Sequence, residues 1–280
     1  MRVICHTTAE AFLSNAQAWL ERAEAENNVV LGIALSFKLS TVQSKVRPYF
    51  FTVDDDEKII GAGLMTPPRR LLMTRMSEPA VIALADYLLA ERAPLPGVLG
   101  PTAEANLFVE HWTRQTGRSA HLKMRERLYK CEQAATLTYA SGSLRPAQQE
   151  DKGMLWDWCL RFCVDAGIED EAIYFKARLP RKIADRSLFV WQADEAVSMA
   201  GLERETSRGV AISWVYTPPH LRNRGYATAS VAALTRQSLE SGKEFCCLYA
   251  DLANPASNSI YQKLGYQPIF DVQDWIFEPR

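Results

Sequence analysis

The sequence is poor in the residues that several functional classes require. Of its 280 residues only four are histidine (6, 111, 121 and 220), and none is spaced from the six cysteines as metal ligands are, so no metal is expected. The cysteines, at 5, 131, 159, 163, 246 and 247, do not make a disulfide framework and read as buried or partly buried thiols. Acidic and basic residues nearly cancel, 33 against 32. That balance excludes a general attraction to nucleic acid or to an anionic membrane. No stretch approaches the ~20 apolar residues of a membrane span. The opening MRVICHTTAEAFLS has no apolar run of the kind a signal peptide carries. A cytoplasmic protein is therefore expected. What is present is a 48% apolar composition, ordinary for a globular protein, in a length that suits one large domain or two of common size.

The chain is organised around Ala211–Ala227, AISWVYTPPHLRNRGYA. Ile212, Val215 and Tyr216 favour an extended backbone, and Pro218-Pro219 stop the strand. Arg222-Asn223-Arg224-Gly225-Tyr226-Ala227 then leads into a helix in which Val231, Leu234 and Ser238/Leu239 recur at helical spacing. Strand, basic loop with one glycine, and helix together aim backbone N–H groups and a helix N-terminus at one spot, which suits a phosphate. FCCLYADL (245–252) reads as a buried strand. NPASNSIYQKLGY (254–266) reads as a helix with Asn254 as N-cap and Pro255 in its first turn.

This run, from Gly209 to about Ile269, resembles the GNAT superfamily of acetyl-CoA-dependent N-acyltransferases. The resemblance rests on V-Y-T-P-P-x-x-R-x-R-G-Y-A and N-P-x-S-x-x-x-Y-x-K-L-G-Y. It implies acetyl-CoA as cofactor, a small-molecule or peptide amine as acceptor, and direct attack of that amine on the thioester. By the same resemblance Val215, Tyr216 and Thr217 offer backbone groups to pantetheine, with the Val215 N–H polarising the thioester carbonyl. The amides of Asn223, Arg224, Gly225, Tyr226, Ala227 and Thr228 would hold the pyrophosphate, with Arg222 and Arg224 adding charge. Asn254 stands where the pantetheine arm passes, and Tyr261 where a phenol can protonate the departing thiolate.

The general base is the open position. The strand GVAISWVYT has no carboxylate, a departure from the pattern of many family members. Glu203 and Glu205 on the preceding strand are the alternatives, as are Asp251, Ser213 or a water chain. Two other functions keep a place beside acyl transfer: a catalytically weak coenzyme A-binding or sensor protein, and a module whose first half binds a partner.

The first half contains a repeat of the second. FFTVDDDEKIIGAGL (50–64) aligns without gaps on LFVWQADEAVSMAGL (188–202), an offset of 138 residues. Around it lie helical patterns at 9–26, 29–39, 78–92 and 102–117, a short strand at 95–101, and a basic strand from Leu122 to Glu132. PPRRLLMTRM follows the strand at 61–66, with no R-x-x-G-x-A loop before the next helix. The expected architecture is α/β (α+β): two tandem GNAT-like domains, each a twisted, mixed, mainly antiparallel sheet flanked by helices. Residues 1–132 would be a degenerate domain without a cofactor loop, 133–143 a linker, and 144–280 the acetyltransferase domain. Helices over 154–167 and 170–185 would form the acceptor wall. Trp156, Trp158, Phe162, Tyr174 and Phe175 there are suited either to an acceptor pocket or to the core.

Overall fold

Neighbouring large apolar residues, as in Phe50-Phe51 and Val190-Trp191, point to opposite faces of a strand and demand cover on both sides. The computed structural model, which describes residues 1–39, 47–135 and 140–279, supplies that cover in two units. The first runs through β1 (Arg2–His6), α1 (Ala9–Leu20), α2 (Asn28–Leu39), β2 (Tyr49–Asp55), β3 (Lys58–Met65), β4 (Leu71–Met73), α3 (Glu78–Ala90), β5 (Gly97–Pro101), α4 (Thr102–Thr116) and most of β6 (Ala120–Cys131). The second runs through β7 (Ser143–Pro146), α5 (Lys152–Asp165), α6 (Ala172–Ala184), β8 (Leu188–Gln192), β9 (Ala196–Glu203), β10 (Gly209–Tyr216), α7 (Tyr226–Glu240), β11 (Phe245–Asp251) and α8 (Pro255–Lys263). The chain closes with β12 (Gln267–Phe277).

In the first unit β1, β2, β3 and β4 pair antiparallel in order, and β4 pairs parallel with β5. In the second unit β7, β8, β9 and β10 repeat that order, and β10 pairs parallel with β11. Each sheet is buried on two faces. Phe50, Ala62 and Leu64 meet Phe12, Leu20 and Leu31 of α1 and α2, while Phe51, Val53 and Val98 meet Leu84 and Phe108 of α3 and α4. Likewise Val190, Met199 and Trp214 meet Leu155 and Ile183 of α5 and α6, while Trp191 and Val197 meet Ala229 of α7.

The aligned repeat coincides with β2–β3 and β8–β9. The gap-free alignment nevertheless conceals a difference in the turn. Asp56 and Glu57, both with positive φ, close the first hairpin, whereas the second turns through Ala193–Glu195. The helix expected over 9–26 ends at Leu20, where a 3₁₀ turn follows, and PPRRLLMTRM contains the strand β4.

The division into units does not cut the chain once. Residues Pro268–Arg280 and Tyr249–Pro255 cluster with the first unit, because β12 pairs antiparallel with β5 from Val272↔Pro101 to Ile276↔Gly97. A largely buried ion pair, Arg70–Asp274 at 2.6 Å, fastens it there. A domain spanning 144–280 therefore has its last strand in the other unit. The linker expected over 133–143 lies partly outside the described residues.

None of the six cysteines is in a disulfide, and five of them are buried. Burial pushes the Cys159 thiol up to about 12. Among the described residues no helix is long and apolar enough to cross a membrane.

Candidate active site

Strand β10 carries one residue too many for its neighbour. Ser213 faces Gly201, but the next registered pair is Tyr216 with Met199, so Trp214 and Val215 together span a single position of β9. That is a β-bulge. Trp214 takes φ +56, a left-handed value that a bulky side chain adopts only when its surroundings compel it. The surroundings are on hand. Its ring is buried with its centroid 4.5 Å from that of Phe175, and the Lys182 ammonium lies 5.3 Å from the ring centroid. Beyond Ala211↔Cys247 β10 has no further registered pair with β11. Ser213 and Val215 are the half-buried positions of a segment whose other members are buried.

After Pro218-Pro219 the chain makes the loop. Asn223 has φ +61 and Gly225 φ +80, both exposed, and α7 starts at Tyr226. Ala229 N–H donates to the Gly225 carbonyl at 2.9 Å as the first helical bond. Tyr226, Ala227 and Thr228 thus fall in the first turn, where N–H groups lack carbonyl partners within the helix. No side chain caps this end and no acidic residue stands in its first turn. Among the described residues a Cβ on Gly225 would meet only Ala140 Cβ, at 3.8 Å, so what the glycine supplies there is its torsion.

The two arginines differ in use. Arg222 donates to the Thr217 carbonyl at 3.0 Å, pairs with Asp165 of α5, and lies over the Tyr216 ring. It braces the loop. Arg224 is exposed and has no such brace among the described residues. The Tyr216 carbonyl accepts from Ser198 Oγ at 3.0 Å, so it and the Thr217 carbonyl already have protein donors.

Of the carboxylates considered as base, Glu203 is buried, 3.0 Å from Lys182 Nζ and 2.5 Å from an Arg178 guanidinium nitrogen. Burial alone would raise its carboxyl, but Lys182, Arg178 and Arg204 prevail and hold it at about 2. A carboxylate so held is a poor proton acceptor. Its use is structural: Lys182 also donates to the Leu202 carbonyl, tying α6 to β9 beneath the bulge. Glu205 is exposed and pairs with Lys243 at 2.7 Å. Asp251 accepts from Ala253 N–H at 2.8 Å, holding the turn that leads to Asn254 and α8. Tyr261 is half-buried on α8, edge-on to Tyr266 with ring centroids 6.1 Å apart, and desolvation pushes its phenol up to about 12. Tyr266 itself is fully buried, its hydroxyl 2.7 Å from Thr235 Oγ1.

Residues 192–276 match the model of the FR47-like protein family. No curated protein matches the chain in sequence. Among solved structures, an acetyltransferase of the GNAT family from Colwellia psychrerythraea is 12% identical, with 99% of this chain and 100% of that one covered and a TM-score of 0.59. A tandem GNAT protein from the clavulanic acid biosynthesis pathway is 10% identical over 99% of this chain and 98% of its own, at TM-score 0.57. A Drosophila protein reaches 0.66 at 12% identity, with 99% and 98% covered.

The fold is the tandem GNAT fold.

Within that fold the first unit lacks the features just described. β4 pairs with β3 without a register shift, and no residue from Leu71 to Glu78 has positive φ. The loop after β4 is stitched back to β3 by Thr74, whose amide and hydroxyl both bond to Ala62. Met76 N–H, just before α3, donates to a Glu104 carboxylate oxygen at 3.3 Å, and Glu78 stands in the first turn of α3. Carboxylates thus stand in the first unit of this GNAT fold at the helix end that the second unit leaves uncapped.

A cleft of about 460 Å³ opens in the second unit, lined from α5 by Asp157, Leu160, Arg161, Cys163, Val164 and Asp165, and closed by Glu169, Ala172, Tyr216 and Pro219. None of the five aromatic residues named from the sequence lines it. Trp158 is buried, and Trp156, Phe162 and Phe175 pack against the same core. Sequence reasoning expected a wall on this helix but named only its aromatic residues, which it left open between pocket and core. The signal it passed over is the exposed pair Leu160 and Val164, on the face of α5 opposite buried Leu155, Trp158 and Cys159.

Proposed function

We propose that the second unit transfers an acetyl group from acetyl-CoA to a primary amine. The observation that carries this reading is one strand and one loop: the bulge at Trp214–Val215, and then left-handed Asn223 and Gly225 opening onto the uncapped end of α7. The amides from Asn223 to Thr228 suit a pyrophosphate, with Arg224 beside them. The Val215 N–H, beside the bulged residue, suits the thioester carbonyl.

In the step itself the amine, neutral after losing a proton to water, attacks the carbonyl carbon through its lone pair. The C–N bond forms as the C–S bond breaks, the nitrogen gives up its second proton, and the thiolate takes one. Tyr261 supplies that proton, because a phenol with an ordinary pKa of about 10 is protonated at neutral pH, and it regains one from the water that takes the nitrogen's second proton. Glu203 is left out of the step, and water serves as the base. Asn254 stands beside the pantetheine arm. The first unit, with carboxylates at the matching helix, is proposed to bind no coenzyme A.

A second reading, coenzyme A binding without turnover, is favoured by one observation: Glu203, the last residue of β9, and Glu205, which lies beyond that strand and not on it as expected, are both held in ion pairs. A screen of amines with acetyl-CoA and a thiol-release readout separates the two. Thiol release that depends on the amine supports transfer. Tight binding of acetyl-CoA with no release for any amine supports the second reading.

A further inference from the structure

The aromatic residues of α5 and α6 that stay out of the cleft have another task. They grip the bulged strand from the helix side. The Phe175 ring stands 4.5 Å from the ring of Trp214, centroid to centroid, and Phe162 backs Phe175 at 5.5 Å. Lys182 holds its ammonium 5.3 Å from the Trp214 centroid. Past the bulge, the Trp158 ring meets that of Tyr216 at 6.2 Å. Both sides of the bulge are therefore held.

The grip on Trp214 has two points. Phe175 and Lys182 lie two turns apart on one face of α6, with buried Leu179 between them. Lys182 is itself fixed to β9, by Glu203 at 3.0 Å and by the Leu202 carbonyl. On the sheet side Gly201 gives way, since a Cβ there would stand 3.4 Å from Trp214 Cβ and 3.3 Å from the Ser187 carbonyl oxygen. A left-handed torsion on a bulky residue is sparsely populated in a free chain and persists only where packing over-determines it. Here the packing is the seat of the indole. Returning Trp214 to an extended torsion would lift its ring off Phe175 and turn the peptide group that follows. That planar group carries the Val215 N–H, so the torsions of Trp214 set where the N–H points.

We propose that Phe175 is a positioning residue for the donor: through the Trp214 ring it holds the torsions that direct the Val215 N–H at the thioester carbonyl. The proposal rests on the acyl-transfer reading and adds to it a residue that touches neither substrate nor cofactor. Its consequence is selective. A change at Phe175 should be felt by the acyl group and not by the body of coenzyme A, because the Asn223–Gly225 loop is braced separately, by Arg222 to the Thr217 carbonyl and to Asp165.

The test uses the whole chain with coenzyme A and with acetyl-CoA carrying ¹³C at its carbonyl, and no amine. Phe175→Leu keeps an apolar side chain but removes the ring. Its bound carbonyl stretch should lie at a higher frequency than in the parent, since a hydrogen bond to that oxygen is lost. By calorimetry its preference for acetyl-CoA over coenzyme A should fall about fivefold, the size of one net hydrogen bond. Its affinity for coenzyme A itself should stay within about twofold of the parent's. Phe175→Tyr keeps the ring and should keep the parent's stretch and preference. If Phe175→Leu does not fold, Phe175→Met fills similar space without a ring and carries the same expectations.

A ringless variant that melts earlier but keeps the parent's stretch and preference overturns the proposal, because Phe175 then only packs. If that variant's parent also releases thiol with an amine, positioning alone is refuted and transfer stands. The expected shift, in a chain that releases no thiol with any amine, upholds the positioning and refutes transfer. A parent that binds neither acetyl-CoA nor coenzyme A refutes both.

Discussion

The two units run through the same elements in the same order and pair their first five strands in the same sense, yet they differ at one corner. In the second, β10 spans eight residues, bulges at Trp214 and leads through two left-handed residues to a helix with no acid in its first turn. In the first, β4 spans three residues and keeps its register, and Glu78 and Glu104 stand at the start of α3. The fold survives this difference because it rests on buried faces such as Phe50/Phe51 and Val190/Trp191, which both units retain. The corner proposed as the donor cradle does differ, because it consists of a few backbone torsions and of charges that those buried faces do not fix. Fold and cradle are therefore separable, and the comparison can be attacked at the corner alone.

The largest effect is expected from Gly225→Asp. It places a side chain at φ +80 and a carboxylate where the pyrophosphate is proposed to sit, and should abolish coenzyme A binding by calorimetry. Gly225→Ala sharpens the point. Nothing blocks its Cβ, so a cost of about 1 kcal/mol from the torsion alone is expected, with binding weakened but kept. The parent should bind one coenzyme A per chain; two would mean that the first unit has a working site after all.

Next comes Tyr261→Phe. A general acid typically contributes about 10²–10⁴-fold, so kcat should fall in that range while coenzyme A affinity holds, because the hydroxyl matters only as charge develops on sulfur. An unchanged kcat with chemistry rate-limiting removes the phenol from the mechanism.

Lys182→Met tests what holds the bulge. It leaves buried Glu203 with Arg178 and Arg204 but without its ammonium partner, and should cost about 2–3 kcal/mol in urea unfolding. The near-ultraviolet signal of Trp214 should change with it, and adding Glu203→Gln should recover part of the loss. The pH dependence has a definite sign. The Glu203 carboxyl is held below its ordinary 4.5, so its contribution is present above that pH and lost as pH falls towards about 2. In the double variant that acid limb should flatten.

Glu104→Gln should be the mildest. It alters one long bond to Met76 N–H and should shift stability by less than about 1 kcal/mol. It should confer no coenzyme A binding, since the first unit still lacks a bulge and a left-handed loop. Binding gained there would mean that charge, and not backbone shape, separates the two units.

Much of this was legible in the sequence where the cause is local. R-x-R-G-Y-A implied a loop with one glycine leading into a helix, and α7 starts at Tyr226 directly after Gly225. The 138-residue repeat falls on β2–β3 and β8–β9. Local patterning was weaker at the short strand β4, three residues inside a run rich in proline and arginine, and at the break after Leu20. Neither has an apolar period long enough to read.

By itself, then, the sequence determined the elements, their tandem order and the strand–loop–helix of the proposed donor site, because each depends on residues within a turn or two of one another. Only the tertiary structure decided the uses of long-range partners. It gave Glu203 to Lys182 and Arg178, made Arg222 a brace to Asp165 57 residues away, and carried β12 over to β5. The reason is physical. A carboxylate on a strand reads the same whether it meets water, substrate or a buried lysine, and which it meets is fixed by packing between elements distant in the chain.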